Sequence, residues 1–306
     1  MNTPASHVVL GGNGVIGRET LRALRDRGLD PVSVTRTASA AGGIPSVLAD
    51  LTVASEARTA LSGAGTAYLV LGLPYTSRAW EEQWPVIART VADAAVENGT
   101  HLVFLDNVYA YGRVEGVMTE RTPIAPASRK GRARAAVLAE LDSARGRGLV
   151  CTIGRSADFY GPGARTSAFN RFVIDRVAAG REGVWLFDAG QPHSLTYTPD
   201  IGDALAVLGT DPRARGGVWH LPTGPALTGR EYVALAAGPD ARCRTMSTFT
   251  MRVGALFTGE ARETLEMAYQ YTAPYVLDAS AFTDAFGMTA TPYADGIAAS
   301  LAAARA

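Results

Sequence analysis

The chain has 306 residues, of which 47% are hydrophobic and 19% are charged, and its 29 basic side chains balance 29 acidic ones. A chain of this length can bury a full core, in one large domain or in two smaller ones. The balanced charge gives no support for a nucleic-acid partner or an anionic membrane surface, and no apolar run reaches the roughly 18 to 20 residues that span a bilayer.

The scarcity of cysteine and histidine narrows the class of protein further. Cys151 and Cys243 are the only cysteines and belong to no spacing motif, which excludes a disulfide framework and favours a reducing compartment. The four histidines are widely scattered, so we predict no metal site. The polar N-terminal residues lack the pattern of a signal peptide, and we therefore expect a cytoplasmic protein.

A glycine-rich turn near the N-terminus is the first strong functional signal. An apolar run that begins at His7 leads into Gly11 and Gly12, and a helical pattern follows at once. This order matches the dinucleotide fingerprint, in which Gly14 lets the backbone approach a pyrophosphate and Gly17 lets the helix pack on the strand. A plain glycine turn is the alternative. The predicted pyrophosphate-binding residues are Gly11, Asn13, Gly14, Val15, Ile16 and Gly17.

The end of the second predicted strand, Pro31–Thr35, indicates which dinucleotide is bound. NAD-selective sites commonly place an acidic side chain after this strand, where it accepts a hydrogen bond from the ribose 2'-hydroxyl. Arg36 occupies that position and can pair with a 2'-phosphate, so NADP(H) is favoured over NAD(H); a solvated surface arginine is the alternative. Asp50, after the predicted strand Ser46–Leu48, is expected to meet the adenine amino group. The predicted cofactor site is completed by Leu51, Gly72 and Leu73.

Strand and helix patterns alternate through the first half of the chain. Apolar runs predict strands at 67–71, 101–105 and 149–153, and helical patterns occupy 83–98 and 129–144. This alternation is typical of a parallel sheet that is covered on both faces. In the second half, helices are predicted at 167–180, 201–209, 228–237, 248–257 and 262–271, and short strands at 184–186 and 195–197.

Further motifs follow the glycine fingerprint in order: FLDNVYAYG at 104–112, DFYGPG at 158–163, TYTPDIGD at 196–203, VWHLP at 218–222 and PYVLD at 274–278. Together they resemble the extended short-chain dehydrogenase/reductase superfamily, in particular its NAD(P)-dependent epimerase/dehydratase branch. The resemblance implies an α/β fold, with a Rossmann-type doubly wound parallel sheet and a smaller C-terminal substrate-binding domain. It predicts a dinucleotide-binding domain formed by residues 1–158 together with residues 194–221. The substrate-binding domain is predicted at 159–193 and 222–306. Family dimers often pair the helices that correspond to 83–98 and 129–144, so a homodimer is an expected assembly.

The catalytic positions depart from the family pattern. The family usually carries Ser or Thr five residues before the glycine of its Val-Tyr-Gly motif, where this chain has Asn107. Its Tyr-x-x-x-Lys pair corresponds to Lys130 and Arg134. The resemblance implies that Arg134 holds the cofactor ribose, and that Lys130 touches the cofactor and, beside that cation, supplies a proton. Asn107 is expected to stabilise an oxyanion. The alternatives are a solvated helix face for the two cations and a strand-end cap for Asn107.

Three tyrosines near these positions are further candidates. Tyr109 and Tyr111 follow the fifth strand and are predicted as alternative acids, although tyrosines there more often pack than react. Tyr160 belongs to the Tyr-Gly-Pro-Gly loop, which in the family lies beside the nicotinamide. The resemblance therefore implies that Tyr160 contacts the cofactor and the substrate.

Clues to the substrate come from aromatic residues and from one histidine. Tyr75, Trp80 and Trp84 are expected to line an apolar pocket, and a place in the core is the alternative. Trp185 and Phe187 are expected on its opposite side. His193 takes a position at which many sugar-nucleotide enzymes of the branch carry an arginine, and we include it in the substrate site. These features favour a hydrophobic carbonyl, imine or polyketide-like substrate.

The sequence thus predicts an NADP(H)-dependent oxidoreductase that reduces a C=O, C=N or C=C bond of a small, hydrophobic metabolite. Loss of the Tyr-x-x-x-Lys pair leaves two alternatives. One is a non-redox isomerase, dehydratase or cyclase on the same scaffold, and the other is a dinucleotide-binding sensor without catalytic activity.

Overall fold

The computed structural model describes residues 6–37 and 43–306, which divide into two compact units. Unit 1 comprises the described chain up to Ala110 together with Lys130–Arg155 and Ile201–Trp219. Unit 2 comprises Tyr111–Arg129, Ser156–Asp200 and His220–Ala306. The division differs from the predicted one chiefly at 111–129 and 194–200, which the sequence assigns to the dinucleotide-binding domain and which lie in unit 2.

The described residues contain fifteen strands and eleven α-helices. The strands are β1 (Ser6–Leu10), β2 (Pro31–Thr35), β3 (Ser46–Leu48), β4 (Ala64–Leu69), β5 (His101–Asn107), β6 (Val117–Met118), β7 (Cys151–Ser156), β8 (Asp158–Tyr160), β9 (Val184–Leu186), β10 (Pro192–His193), β11 (Leu195–Tyr197), β12 (Val218–His220), β13 (Leu227–Thr228), β14 (Arg244–Met246) and β15 (Val276–Leu277). The helices are α1 (Val15–Asp26), α2 (Ala54–Leu61), α3 (Ser77–Asn98), α4 (Arg129–Arg145), α5 (Asp175–Ala178), α6 (Thr198–Thr210), α7 (Gly229–Ala237), α8 (Thr248–Phe257), α9 (Gly259–Glu266), α10 (Ser280–Phe286) and α11 (Tyr293–Arg305).

The central sheet has seven parallel strands in the order β12-β7-β5-β4-β1-β2-β3, which confirms the predicted Rossmann-type fold class. From β1 the chain first adds β2 and β3 on one side and then β4 on the other, so the strand order reverses between β1 and β4. Leu10 at the end of β1 pairs with Val34 of β2 and with Leu69 of β4. In open parallel sheets, ligands bind beyond the carboxyl ends of the strands at such a reversal.

Helix α3 begins earlier than the sequence predicts. The expected start at residue 83 lies close to Pro85, and proline is best tolerated in the first turn of a helix. The observed helix begins at Ser77 and contains Pro85 in its interior. The Thr76 hydroxyl accepts a hydrogen bond from the Ala79 amide at 3.2 Å and caps the true start, which brings Ser77, Trp80 and Trp84 onto one helix.

Unit 2 is built around an aromatic core with short strand pairs. Its strands pair as β8 with β11, β9 with β14, β6 with β15 and β10 with β13, of which only the last pair is antiparallel. Buried aromatic side chains form the centre, among them Phe169, Trp185 and Tyr232. The predicted helix at 167–180 is confirmed over residues 168–178, and its middle is a π-helical segment, Asn170–Ile174, that continues into α5.

Within the described ranges, no helix combines the length and the apolarity that a membrane crossing requires.

Candidate functional site

The glycine turn after β1 depends on glycine for reasons that differ from position to position. Gly11 has a φ of +101° and donates its amide to the Val34 carbonyl oxygen at 2.8 Å. A Cβ on Gly17 would collide with the carbonyl oxygen of Gly11, so only glycine lets α1 start this close to the strand. Gly14 is exposed, and a Cβ there would meet only the Gly11 oxygen, at 3.3 Å. The lack of a side chain at Gly14 therefore has little effect on packing and mainly leaves room for a ligand that approaches from the solvent.

The first turn of α1 is arranged to receive an anion. Gly14 caps the helix without any side-chain hydrogen bond, and the first turn carries no acidic residue. The backbone amides at this end thus face outward with their partial positive charge, which is how helix N-termini hold phosphate groups. Asn13 is fixed beside the turn by two hydrogen bonds. Its backbone carbonyl oxygen accepts from the Arg18 side chain at 2.8 Å, and its side-chain Nδ2 donates to the Thr37 backbone carbonyl at 3.3 Å. These residues fit the pyrophosphate of a dinucleotide.

Five of the predicted cofactor residues line one recess at the carboxyl ends of β2, β3 and β4. They are Arg36, Asp50, Leu51, Gly72 and Leu73. Arg36 is exposed at its edge. Hydrogen bonds from the Thr52 hydroxyl at 2.7 Å and the Thr52 amide at 2.9 Å lower the pKa of Asp50, and the positive charge of Arg36 acts in the same direction. The recess therefore presents one cation and one ionised carboxylate side by side.

Lys130 is fully buried within unit 1, which contradicts the solvated helix face offered as its alternative. Its Nζ lies 4.6 Å from the centre of the Tyr75 ring and 3.4 Å from Ser77 Oγ. The Tyr75 hydroxyl in turn lies 3.4 Å from the Tyr109 hydroxyl. The structure thus brings together an ammonium group and two phenols that are far apart in sequence.

Arg134 is also buried, and its donors are directed into unit 1. Its Nε donates to Asp106 Oδ1 at 2.8 Å, and the second oxygen of Asp106 accepts from Arg155 Nε at 2.9 Å. We call Asp106, Arg134 and Arg155 the Asp106 cluster. Burial lowers the pKa of Arg134, while the carboxylate of Asp106 opposes that shift.

The donors of Arg134 for which the structure shows a partner bind the protein itself, and its contact with the cofactor ribose stays a prediction. A further donor of its guanidinium reaches the Leu105 carbonyl oxygen at 2.9 Å, and its carbon lies 4.5 Å from the centre of the Trp84 ring. These contacts fix α4 to the end of β5. Asp106 and Arg155 are members of the Asp106 cluster that the sequence pattern does not indicate, although both lie at strand ends of the predicted sheet.

Asn107 caps the turn after β5, as its alternative interpretation predicts. Its Oδ1 accepts from the Tyr109 amide at 3.1 Å. The amide nitrogen of Asn107 has no hydrogen-bond partner within residues 6–37 and 43–306. The cap therefore leaves the side-chain NH2 group, which an oxyanion role would use as the donor.

The tryptophans that are expected at the apolar pocket are buried in the structure. Trp80 and Trp84 are buried in unit 1, where Trp80 stacks on Tyr109 with ring centres 5.9 Å apart. Trp185 and Phe187 are buried in the aromatic core of unit 2. These places agree with the core alternative, and the apolar pocket stays a prediction; Tyr75 keeps 45% of its surface exposed.

Tyr111 takes part in an internal hydrogen-bond chain of unit 2. Its hydroxyl lies 2.8 Å from Nε2 of His220, and Nδ1 of His220 lies 2.8 Å from the Asp278 carbonyl oxygen. Because a carbonyl oxygen only accepts, Nδ1 carries a proton, and in the neutral tautomer that this fixes Nε2 accepts from Tyr111. This buried phenol is therefore already committed as a donor, which argues against its predicted role as an acid.

Tyr160 and His193, which are predicted to contact cofactor and substrate, are buried in unit 2, and those contacts stay predictions. The ring of Tyr160 packs against Tyr197 at 5.2 Å, and burial raises the pKa of its phenol well above the ordinary value. The ring nitrogens of His193 lie 3.1 Å from Asp158 Oδ2 and 3.1 Å from the Gln270 carbonyl oxygen. Both side chains hold unit 2 together.

Comparison with known proteins agrees with this architecture. Similar solved structures include MoeE5 in complex with UDP-glucose and NAD, which is 21% identical with a TM-score of 0.80 and matches over 98% of this chain and 99% of that one. DesIV, a dTDP-glucose 4,6-dehydratase from Streptomyces venezuelae, is 20% identical with a TM-score of 0.79, over 98% and 97% of the two chains. UDP-N-acetylglucosamine 4-epimerase from Bacillus cereus is 15% identical with a TM-score of 0.76, over 96% and 94%. At these identities the similarity establishes the fold.

The family is established by the sequence itself. No curated protein matches the chain. The model of the NAD dependent epimerase/dehydratase family matches residues 7–220, which is more than two thirds of the chain and includes the glycine turn, the recess and the Asp106 cluster. The chain therefore belongs to the NAD dependent epimerase/dehydratase family and is an epimerase-like enzyme that uses a nicotinamide dinucleotide.

Proposed function

We propose that this enzyme is an NADP(H)-dependent oxidoreductase that reduces a C=O, C=N or C=C bond of a small, hydrophobic metabolite. The observation that carries the proposal is the recess in which Arg36, rather than an acidic side chain, follows β2. A guanidinium group offers paired donors to a 2'-phosphate, whereas an NAD-selective site commonly offers a carboxylate to the 2'-hydroxyl.

The N-terminus of α1 and the other residues of the recess suit a cofactor whose 2'-phosphate lies at Arg36. The open N-terminus of α1 would hold the pyrophosphate, and the exposed edge at Arg36 would hold the 2'-phosphate. Asp50, which Thr52 keeps ionised, would accept a hydrogen bond from the adenine amino group. The nicotinamide, when bound, supplies the hydride.

Titration with the two reduced cofactors tests the Arg36 assignment. In Arg36→Ala the affinity for NADPH should fall about tenfold to a hundredfold, because a hydrogen bond to a charged group contributes roughly 1.5–3 kcal/mol. The affinity for NADH should stay within about twofold. Arg58→Ala is the matched control, since Arg58 is exposed on α2 and pairs with the surface carboxylate Glu97. Equal losses for both cofactors in Arg36→Ala, or no loss, would contradict the assignment.

We further propose Tyr75 as the group that gives the substrate its proton. An acid must come within hydrogen-bond reach of the substrate, and among the clustered groups Lys130 is fully buried, Tyr109 is nearly so and Tyr75 is 45% exposed. The ammonium of Lys130 lies over the Tyr75 ring and would stabilise the phenolate left behind. Tyr109 would stabilise the same phenolate by donating across the contact of 3.4 Å between the hydroxyls. The free amide donor of Asn107 would steady the reacting oxygen.

A panel of apolar aldehydes, imines and enones with NADPH tests the reaction and the acid together. With the best substrate of that panel, Tyr75→Phe should lower kcat by about 10²- to 10⁴-fold, and Tyr109→Phe by less, because Tyr109 acts only through Tyr75. Equal rates for Tyr75→Phe and the unaltered enzyme would exclude Tyr75 as the acid.

A non-redox reaction is the second candidate, favoured by the absence of the Tyr-x-x-x-Lys pair. The structural neighbours are a 4-epimerase and a 4,6-dehydratase acting on sugar nucleotides. The position at which many sugar-nucleotide enzymes carry an arginine is taken here by His193, whose nitrogens face Asp158 and Gln270 inside unit 2. Substrate turnover without net oxidation of NADPH, followed by its absorbance, would establish the second candidate.

A further inference from the structure

Helix α8 carries the most exposed of the large apolar side chains among the described residues. Phe249, Leu256 and Phe257 have 77%, 78% and 79% of their surface exposed, and Val253 has 42%. Their separations of four, seven and eight residues place all four along one stripe of the helix. Scattered exposed apolar residues are ordinary, but a stripe of this kind marks a surface that contacts something.

The helix that carries this stripe is firmly anchored on its other side. The Ser247 hydroxyl caps it by accepting from the Thr250 amide at 3.2 Å. Met251 is buried in the aromatic core of unit 2, and a Cβ on Gly254 would lie 3.4 Å from the Ala261 side chain of α9. Since the buried side of α8 is already packed, the exposed stripe is not a core face left open by an unsettled helix.

The size of the stripe matches what association of two copies requires. Taking about 200 Å² for a whole aromatic side chain and somewhat less for leucine and valine, the four residues expose roughly 500 Å² of apolar surface. Two copies that cover each other's stripe would bury about 1,000 Å² from these residues alone, which reaches the lower limit of specific protein interfaces. Contacts around the rim would add to that area.

The charges around the stripe favour a second copy over a lipid surface. Arg252 is exposed on α8, and α9 exposes both Glu260 and Arg262, so the rim carries both signs. Anionic membranes select clusters of one sign, with arginine and lysine around the apolar face. The chain has a formal net charge of zero, so two copies meet without overall repulsion.

We propose that α8 is a homodimer interface, in which the stripes of two copies pack against each other about a two-fold axis. A two-fold contact uses the same patch on both partners, and an apolar stripe is complementary to another such stripe. The proposal is independent of the reaction and of the cofactor. It also differs from the pairing of the helices at 83–98 and 129–144 that the family resemblance implies.

Sedimentation velocity of the full chain over a wide range of protein concentration tests this interface. The double variant Phe249→Ser/Leu256→Ser should dimerise at least tenfold more weakly than the unaltered protein. The control Leu48→Ser/Leu235→Ser changes two exposed leucines elsewhere, which are 60% and 43% exposed, and should leave dimerisation unchanged. Circular dichroism of each variant checks that the fold is retained.

A crosslink provides a second, independent measurement. In a Cys243→Ser background, Val253→Cys places a thiol in the middle of the stripe, where a two-fold axis brings it close to its own copy; the other cysteine, Cys151, is buried. A short bismaleimide should then join two chains, and the same reagent should not join chains that carry Leu235→Cys instead.

Three results would overturn the proposal. The unaltered chain could remain monomeric at every concentration, or Phe249→Ser/Leu256→Ser could dimerise as tightly as the unaltered chain, which would assign the dimer to another face. The third is co-sedimentation with vesicles of phosphatidylcholine and phosphatidylglycerol that this double variant abolishes, which would assign α8 to a membrane surface.

Discussion

Two parts of unit 1 handle charge in opposite ways. The recess at the ends of β2 to β4 leaves Arg36 exposed and holds Asp50 ionised beside it, with two hydrogen bonds from Thr52 to the carboxylate. The Asp106 cluster instead encloses two guanidinium groups and a carboxylate that are almost completely removed from water. Charge kept at the surface is available to a ligand, whereas buried charge must be satisfied by the protein itself. This contrast distinguishes the residues available to bind a ligand from the residues that hold secondary-structure elements in position.

The largest expected effect comes from removing the central charge of the Asp106 cluster. Asp106→Asn keeps the shape of the side chain but leaves Arg134 and Arg155 buried without a counter-charge, which should lower the free energy of unfolding by about 3–5 kcal/mol. Asp50→Asn in the recess is the matched control and should change it by less than about 1 kcal/mol. Urea denaturation of both variants measures the difference. Equal stabilities would mean that the two carboxylates are not distinguished by burial.

The buried His101 makes the stability of the protein depend on pH. Burial lowers the pKa of His101 from 6.5 to about 4, with smaller contributions from Arg215 and His7. Since the unfolded chain binds this proton first, stability should fall as the pH drops from 6.5 towards 4, by at most about 3 kcal/mol. The Nε2 of His101 lies 2.8 Å from Thr152 Oγ1, and His101→Gln can keep a hydrogen bond there without titrating. Thermal unfolding of this variant should depend less on pH; an unchanged slope would assign the dependence to other groups.

Gly14 and Gly17, the two later glycines of the turn, allow a second comparison, between a glycine needed for packing and a glycine needed for the approach of the cofactor. Gly17→Ala places a methyl group against the Gly11 carbonyl and should lower the free energy of unfolding by about 1–3 kcal/mol, with loss of cofactor binding. Gly14→Ala meets only one atom at 3.3 Å, so stability should change by less than about 1 kcal/mol while NADPH affinity falls. Calorimetry and cofactor titration on both variants separate packing from ligand approach. Equal loss of stability in both would show that Gly14 too is needed for packing.

The recess could be predicted from sequence because the backbone defines most of it. Glycine spacing and the ends of apolar strands fix where Gly14, Arg36 and Asp50 lie, and these signals are local. The strand order then brings residues from β2, β3 and β4 to one edge, so the predicted cofactor residues meet there.

The burial of Lys130 and Arg134 could not be predicted in this way. Both belong to a run of charged residues in α4 whose other members, Arg129 and Arg132, are exposed, so the run by itself indicates a solvated face. Their burial depends on partners far along the chain, Tyr75 for the lysine and Asp106 for the arginine. Local patterns carry no information about such pairs. For the same reason the sequence does not reveal that the tryptophans of α3 are buried.

The smallest expected effect concerns Tyr160, which the family resemblance places beside the nicotinamide. Within the described ranges its buried hydroxyl has no hydrogen-bond partner. Tyr160→Phe removes that unpaired group and keeps the ring contacts with Phe169 and Tyr293, so the free energy of unfolding should stay the same or rise by up to about 1 kcal/mol. NADPH affinity should also be unchanged. A fall in cofactor affinity, measured by fluorescence titration of Tyr160→Phe beside the unaltered enzyme, would instead show that the hydroxyl reaches the cofactor when it binds, and would restore Tyr160 to the site.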